Sequence, residues 1–573
     1  MHEFLDILKE KFLSKQSNQF VLYGNVKDTY LIDGSYVPLI EYLNRSFQNS
    51  NRLQIHFNIS SGITFFSKTD RDIIKAAYKR ADFLGGTEVT RERWFNKALD
   101  ESAIYPQLAV KFLNECIKLK LLDKEKKVRQ FSIIVDYLET IAPASPLDKL
   151  NDSDRQKIVT LLEWLSSPSF ADSPNLVVFF CDTVNSINEN IITLPSITCI
   201  EIPRPTFDER LEFIRHQQRE LDSKVKLKFP QKKLSHLTAG LSLKSIHHLF
   251  LSANYLDEKL DEKGVISKTN EIIRKELGDI IEITTPDHGL KAVIGAHKLK
   301  KHLKNLIQLI KADNPSIAPV GILASGPNGV GKTFIFEAFA KEVGFNIIKF
   351  KQIRSQWFGQ TDVIFEKIKS ILTSIGKVIV LIDEADTAFG GRSGATHETE
   401  KRLFGNLIQM MGDPQNRGKI IWVLITARPD KLEPDIKRSG RAGIHLPVFD
   451  PEGDERTNFI EWVFSKIGEN FKQSSSSFKQ TFLEVTSNYS AADFNELMVL
   501  IKSQKALNKN ILNKKEILNL TKDFVPANLS LERRYQTLVA ASECSFRSVL
   551  PEHLKDLNAI RAEVDILKKK LNY

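Results

Sequence analysis

The run Gly326-Pro-Asn-Gly-Val-Gly-Lys-Thr333 constrains this chain more than any other stretch. It fits the pattern G-x-x-x-x-G-K-[ST] of a phosphate loop. Gly321-Ile-Leu-Ala-Ser325 before it reads as a short buried strand. Phe334 to Val343 after it reads as a helix stopped by Gly344. A strand, a glycine loop and a helix in that order are the context the pattern needs. Backbone N–H groups of such a loop close around phosphates, and the helix N-terminus adds a favourable dipole. Lys332 is expected to reach the β- and γ-phosphates, and Thr333 to hold Mg²⁺.

A second chemical element lies fifty residues on. Val378-Ile-Val-Leu-Ile382 is an apolar run of strand length, ended by Asp383-Glu384. A buried strand that delivers two carboxylates to a sheet edge is the Walker B arrangement. Asp383 is expected to orient the metal shell, and Glu384 to polarise the attacking water.

At 573 residues the chain exceeds one ordinary core, so three or four domains are expected. The net charge of +10 comes from 81 basic and 71 acidic residues spread along the chain. That balance permits an acidic partner but does not argue for nucleic acid. Cys116, Cys181, Cys199 and Cys544 lack metal-ligand spacing. Cys181 and Cys199 sit in apolar sequence and are expected in the core. A reducing compartment, the cytoplasm, follows. Met1-His-Glu-Phe-Leu has no secretory pattern, and no 18-residue apolar run suggests a membrane span.

The first half repeats this order in weakened form. An amphipathic helix over 1–15 leads to a strand at Gln19–Tyr23 and then Gly24-Asn-Val-Lys-Asp28. No G-K-[ST] follows, and Asp28 stands where a hydroxyl is needed. Further strands are expected at Leu53–Ile59, Phe131–Asp136, Asn175–Cys181 and Cys199–Pro203. Glu139 lies three residues beyond Asp136, so the adjacent carboxylate pair is absent. Ile202-Pro-Arg-Pro-Thr-Phe-Asp-Glu-Arg210 echoes Leu446-Pro-Val-Phe-Asp-Pro-Glu-Gly-Asp-Glu-Arg456. A tandem duplication with one degenerate copy accounts for the echo. Lys472-Gln-Ser-Ser-Ser-Ser reads as a flexible loop, and 529–573 as helical, with an apolar stripe from Leu554 to Leu571.

On these motifs residues 290–527 resemble an AAA ATPase of the AAA+ superfamily, and the first half resembles a degenerate AAA module. The closer likeness is to bacterial and plastid two-module proteins whose first module has lost its Walker residues. The implied fold is α/β: tandem AAA+ modules, each a parallel P-loop-type sheet with flanking helices plus a small helical lid. The implied division is 1–205 degenerate α/β domain, 206–278 its lid, 279–289 linker, 290–450 active α/β domain, 451–528 its lid, and 529–573 helical extension.

The resemblance also assigns residues. Val293-Ile-Gly295 matches the segment that touches adenine, and Ala491-Ala-Asp493 the lid motif near it, which brings in Gly295 and Ala492. Pro327, Asn328, Gly329, Val330, Gly331, Lys332, Thr333 and Phe334 would surround the phosphates of ATP. Thr333 and Asp383 would serve Mg²⁺. Arg438-Ser-Gly-Arg441 matches the Arg-x-Gly-Arg element, so Arg438 and Arg441 would reach a neighbour's γ-phosphate in a ring. Ile425-Thr-Ala-Arg-Pro-Asp430 departs from the family: Ala427 replaces the sensor-1 asparagine, leaving Thr426 as a substitute. Trp357-Phe358-Gly359 falls at pore loop 1, where an aromatic grips extended polypeptide by packing. Gly390 to Glu398 falls at pore loop 2.

The first reading is therefore an ATP-driven remodeller of a protein client, a homo-oligomer forming a hexameric ring. A nucleotide-dependent scaffold with slow turnover is the second. A nucleic-acid motor lacks its expected signs, a basic channel loop and a sensor-2 arginine.

Overall fold

The computed structural model describes residues 2–48, 51–122, 128–145, 149–220, 225, 227–257, 259–277, 280–351, 361–389, 398–507, 512–526 and 530–571. Chain contacts divide it into two compact units. One is Met1–Asp261 with Asp362–Ser374, and the other Glu262–Thr361 with Ile375–Tyr573.

The first unit carries strands β1 (Gln19–Gly24), β2 (Thr29–Ile32), β3 (Ser35–Pro38), β4 (Leu53–Asn58), β5 (Gly62–Phe65), β6 (Phe131–Val135), β7 (Leu176–Cys181) and β8 (Ile197–Ile202). A six-stranded sheet runs β5-β4-β6-β7-β1-β8. Only the β4–β5 pairing in it is antiparallel. β6 and β7 are buried along their whole length, as central strands of a parallel sheet covered on both faces are, Ser132 being the one polar residue in them. The hairpin β2–β3, not foreseen above, turns at Asp33-Gly34. Both have positive φ, 50° and 76°, which is the Asp-Gly chemistry of a type I′ turn.

The second unit carries β9 (Ile281–Thr284), β10 (Gly321–Ser325), β11 (Asn346–Phe350), β12 (Val378–Ile382), β13 (Ile420–Thr426) and β14 (Ile444–Pro447). Its six strands run β14-β10-β13-β12-β11-β9, with only β9 antiparallel. When the parallel strands of each unit are numbered in chain order, both sheets read 5-1-4-3-2. Two α/β units of one strand order bear out the duplicated fold. The carboxyl ends of neighbouring β10 and β13 form the switch point where such sheets bind ligands.

Several expectations change. Ile281–Thr284, inside the expected linker, is the strand β9, because its alternating apolar residues find an open edge at β11. The serine run is not a free loop. Ser475 caps the helix Ser476–Val485 by accepting from the Phe478 N–H, the role serine takes at a helix N-terminus. Residues 530–570 form two helices, Ser530–Ser542 and Leu557–Lys570, packed through Tyr535, Leu538, Leu554, Ile560 and Leu567. The apolar stripe thus packs on its neighbour. Cys181 is buried, but Cys199 is exposed, because β8 is an edge strand with alternating burial. Among the described residues no helix is long and apolar enough to cross a membrane.

Candidate active site

The site grows from Ser325, the last residue of β10. Gly326 turns with φ 140°, and a side chain there would meet the Val448 carbonyl oxygen at 2.0 Å. Only glycine fits that approach. Gly331, at φ 86°, then caps the helix Lys332–Val343, and Gly344, at φ 87°, ends it. The first turn of that helix presents unpaired backbone N–H groups, a ready anion site.

A cleft of about 940 Å³ opens at this point. It is lined by Asn328, Gly329, Val330, Gly331, Lys332, Thr333 and Phe334 from the loop and helix, and by Asp383 and Glu384 from the end of β12. Lys332 is buried, and its Nζ donates to the carbonyls of Gly326 and Pro327, each at 2.8 Å. Burial pulls its pKa down to about 8, against the lift from Asp383 and Asp386. An ammonium held on two carbonyls gains from a multiply charged phosphate anion, which restores the charge balance it lacks in the cleft.

Thr333 Oγ1 donates to Asp383 Oδ2 at 2.7 Å. A hydroxyl and a carboxylate in contact, beside a phosphate loop, form an oxygen donor set of the kind that suits Mg²⁺, which keeps several waters and leans on substrate phosphates. The residues therefore fit that ion. Asp383 Oδ1 also accepts from the Glu384 N–H at 2.9 Å. Glu384 has φ 51°, a left-handed conformation uncommon for a residue with a side chain. Backbone conformations of this kind cluster at functional sites.

Across the cleft, Thr426 and Ala427 line the wall at the end of β13. Thr426 Oγ1 donates to Asp386 at 2.7 Å and accepts from the Arg428 N–H at 2.9 Å. Its proton is thus committed to a carboxylate. Ala427 adds a methyl group. The lid closes the opposite side with Phe459, Trp462, Ala492 and Asn495, and Ala492 N–H donates to the Gly329 carbonyl at 2.9 Å.

Other expected residues fall differently. Val293 and Ile294 line the cleft, whereas Gly295 is buried beside them, turning at φ 61° against Glu455. Pro327 contributes its carbonyl to Lys332 and is not part of the lining. Phe334 lines the cleft and stacks on His288 at 3.8 Å between centroids. Arg438 and Arg441 lie outside the lining. Arg438 Nε contacts Asp435 at 3.0 Å, and Arg441 also pairs with Asp435. The buried Arg441 Nε has no partner among the described residues. Trp357, Phe358, Gly359 and Gly390–His397 lie outside the described residues.

The corresponding position of the first unit is filled by its own side chains. Asp28 is buried and accepts from the N–H groups of Leu243 and Lys244, which begin the helix Leu243–Tyr255. Burial raises its pKa, and hydrogen bonds from Asn25 and those N–H groups oppose the rise. Lys27 pairs with Asp182 at 2.7 Å. The loop has spent its cation and its lid helix on carboxylates.

Three family descriptions match the chain. "AAA+ chaperone, N-terminal Rossmann-like domain" covers residues 1–203. "AAA+ chaperone, second helical domain" covers 208–278. "ATPase family associated with various cellular activities (AAA)" covers 322–449. The chain thus carries AAA+ chaperone-type domains over 1–278 and an AAA ATPase module over 322–449. Residues missed by the sequence reading, such as Asp386, Phe459, Trp462 and Gln536, complete that module's cleft. Asp386 was within reach, since it closes the run Asp383-Glu-Ala-Asp386. The lid residues come from distant helices and carry no local signal.

Relatives point the same way. Protein SAV of Sulfolobus acidocaldarius is 30% identical over 37% of this chain and 27% of its own length. The cell division cycle protein 48 homolog of Archaeoglobus fulgidus is 33% identical over 25% of this chain and 20% of its own. The ATPase family gene 2 protein of Saccharomyces cerevisiae is 22% identical over 63% of this chain and 50% of its own. This AAA+ chain thus spans half or less of the length of these relatives.

Proposed function

We propose that this AAA+ chain hydrolyses ATP at its second module and uses the cycle to remodel a protein client. It works as a cytoplasmic homo-oligomeric ring, a hexamer, of the bacterial and plastid two-module kind. One observation carries the reading. Lys332, Thr333, Asp383 and Glu384 converge on one cleft, while Arg438 and Arg441 lie outside it. A γ-phosphate in the cleft lacks a guanidinium from its own chain's Arg-x-Gly-Arg element, and a neighbouring subunit can supply one.

The chain's own groups divide the work. Lys332 and the loop N–H groups bind and orient the triphosphate. Thr333 and Asp383 would hold Mg²⁺, which would supply charge neutralisation to the phosphates. Glu384 takes the proton of the attacking water. Val293, Ile294 and Ala492 enclose the base. The first module, with Asp28 held on its own lid helix and Lys27 on Asp182, binds no nucleotide and serves as a platform for client or partner.

Imaging of the Glu384→Gln chain with ATP tests the assembly. A closed ring with a polypeptide in its channel against Trp357 supports the reading. A Trp357→Ala chain should keep ATP turnover and lose movement of an unfolded test polypeptide such as permanently denatured casein. A Trp357→Ala chain that handles that polypeptide like the wild type refutes the grip.

A specific observation also favours a slower, switch-like machine. Thr426 is engaged by Asp386 and Ala427 is a methyl group, so neither positions the attacking water. In that reading ATP binding holds the assembly together and turnover only resets it.

A further inference from the structure

The helix Ser530–Ser542 lies outside all three matched regions, yet it touches three segments of the ATPase site. The first is the phosphate loop. Arg533 Nη1 donates to the Asn328 carbonyl at 3.0 Å, and Gln536 Oε1 accepts from the Asn328 N–H at 3.3 Å. Both backbone polar groups of one loop residue are therefore held from one helix face, three residues apart. The guanidinium is itself fixed, since its Nε donates to Asp450 at 2.7 Å and its Nη2 to the other oxygen of the same carboxylate. Gln536 is buried, lines the cleft, and donates to Glu532 at 3.1 Å.

The second segment follows β13. Arg428 lies over the Tyr535 ring at 4.8 Å and approaches Glu532 at 3.8 Å. The Tyr535 hydroxyl donates to Asp430 at 3.0 Å. The third leads to the arginine pair. There Lys437, next to Arg438, binds Glu543, the residue that directly follows the helix, at 2.7 Å. On its other side the helix is tied to Leu557–Lys570 by a forked Arg534–Glu563 pair, both bonds at 2.8 Å.

We propose that Ser530–Ser542 is a nucleotide-sensing element, with Arg533 and Gln536 as positioning residues of the phosphate loop. They fix Asn328 in the conformation that binds triphosphate. Triphosphate in turn tightens the helix against the loop, the Arg428 turn and the Lys437 segment. Coupling of this kind is reciprocal: whatever loosens the hairpin 530–570 weakens nucleotide, and nucleotide orders the hairpin. The inference rests on ATP binding at the second module.

The test uses the full chain, Mg²⁺ and the non-hydrolysable analogue AMP-PNP. Calorimetry should show Arg533→Ala and Gln536→Leu weakening its affinity about tenfold, the loss expected for one good contact. Arg533→Lys should fall between, since it keeps a cation but not the fork. AMP-PNP should slow amide exchange in Leu557–Lys570 of the wild type and have little effect there in Gln536→Leu. A merely structural helix would lose melting temperature without this nucleotide-dependent exchange. Wild-type affinity in both Gln536→Leu and Arg533→Lys overturns the proposal even where Arg533→Ala fails to fold. So does a wild-type hairpin whose exchange ignores AMP-PNP. A wild type that binds no AMP-PNP refutes the ATPase reading itself, and this inference with it.

Discussion

Tyr137 holds the backbone position in the first unit that Glu384 holds in the second. Their φ values are 57° and 51°. Each directly follows a carboxylate after the third parallel strand, and each donates its N–H to that carboxylate's Oδ1 at 2.9 Å. The local geometry of this sheet edge is the same in both units, with a phenol at Tyr137 where the second unit has the carboxylate of Glu384. A phenol hydroxyl lacks the charge and the paired acceptor oxygens of a carboxylate. Duplication followed by loss explains this better than an unrelated fold.

The first module should therefore be dispensable for turnover. Lys27→Ala removes only the ion pair with Asp182. ATP hydrolysis should stay at the wild-type rate, and binding should stay at one nucleotide per chain. Asp28→Ala should act on stability instead. It leaves the Leu243 and Lys244 N–H groups of the helix Leu243–Tyr255 without their side-chain acceptor, at a cost of about 1–2 kcal/mol, while Ser242 still caps Ser245. A thermal melt and a turnover assay on one preparation separate the two effects.

Lys332 should make nucleotide binding depend on pH. Burial lowers its pKa from the ordinary 10.5 to about 8. Between those values the unfolded chain holds a proton there that the folded chain has released, so this group makes stability rise with pH across that window. Affinity runs the other way, because the phosphates need the ammonium. Titrations at fixed Mg²⁺ should show affinity flat below about pH 8 and roughly tenfold weaker at pH 9, with proton uptake on binding. Affinity unchanged to pH 9.5 would remove Lys332 from the phosphate site.

Ala427 limits the rate in this account. Ala427→Asn places an amide on the cleft wall beside Thr426. Turnover should rise by roughly tenfold or more, short of the 10²–10³ that a fully preorganised donor supplies. Turnover that stays at the wild-type rate would mean that another step, such as product release, is limiting.

Much of this was legible in the sequence because it is local. The loop from Gly326 to Thr333, the Asp383-Glu384 pair and the apolar strands that carry them are each set by adjacent residues. The parallel sheet of each half could be expected from the resemblance, but its strand order could not. What escaped depends on distance. Strand β9 needed the open edge of β11, sixty residues away. Asp28 was legible as a wrong residue for phosphate, but not as a cap for a helix at 243. Arg533 and Gln536 lie two hundred residues from Asn328, and no pattern links them.

Arg438 and Arg441 share Asp435 within their own chain. In a ring they must exchange it for the neighbour's phosphate. Arg438→Ala should cut turnover strongly, toward the 10³–10⁵ of a full arginine finger, and leave ATP binding intact. Mixing Arg438→Ala with Lys332→Ala subunits should recover some activity, because one composite site forms with both groups present. Mixed assemblies that stay inactive while both subunits co-assemble would place the arginines outside the reaction.

The central claim is that one module per chain hydrolyses ATP through Glu384. Quench-flow with radiolabelled ATP on the wild type and on Glu384→Gln tests it most directly, since a single experiment reads bound nucleotide and released phosphate. The account predicts that the wild type releases phosphate, and that Glu384→Gln retains one unhydrolysed ATP per chain and releases almost none. Phosphate release by Glu384→Gln at the wild-type rate, or two ATP molecules held per chain, would contradict it.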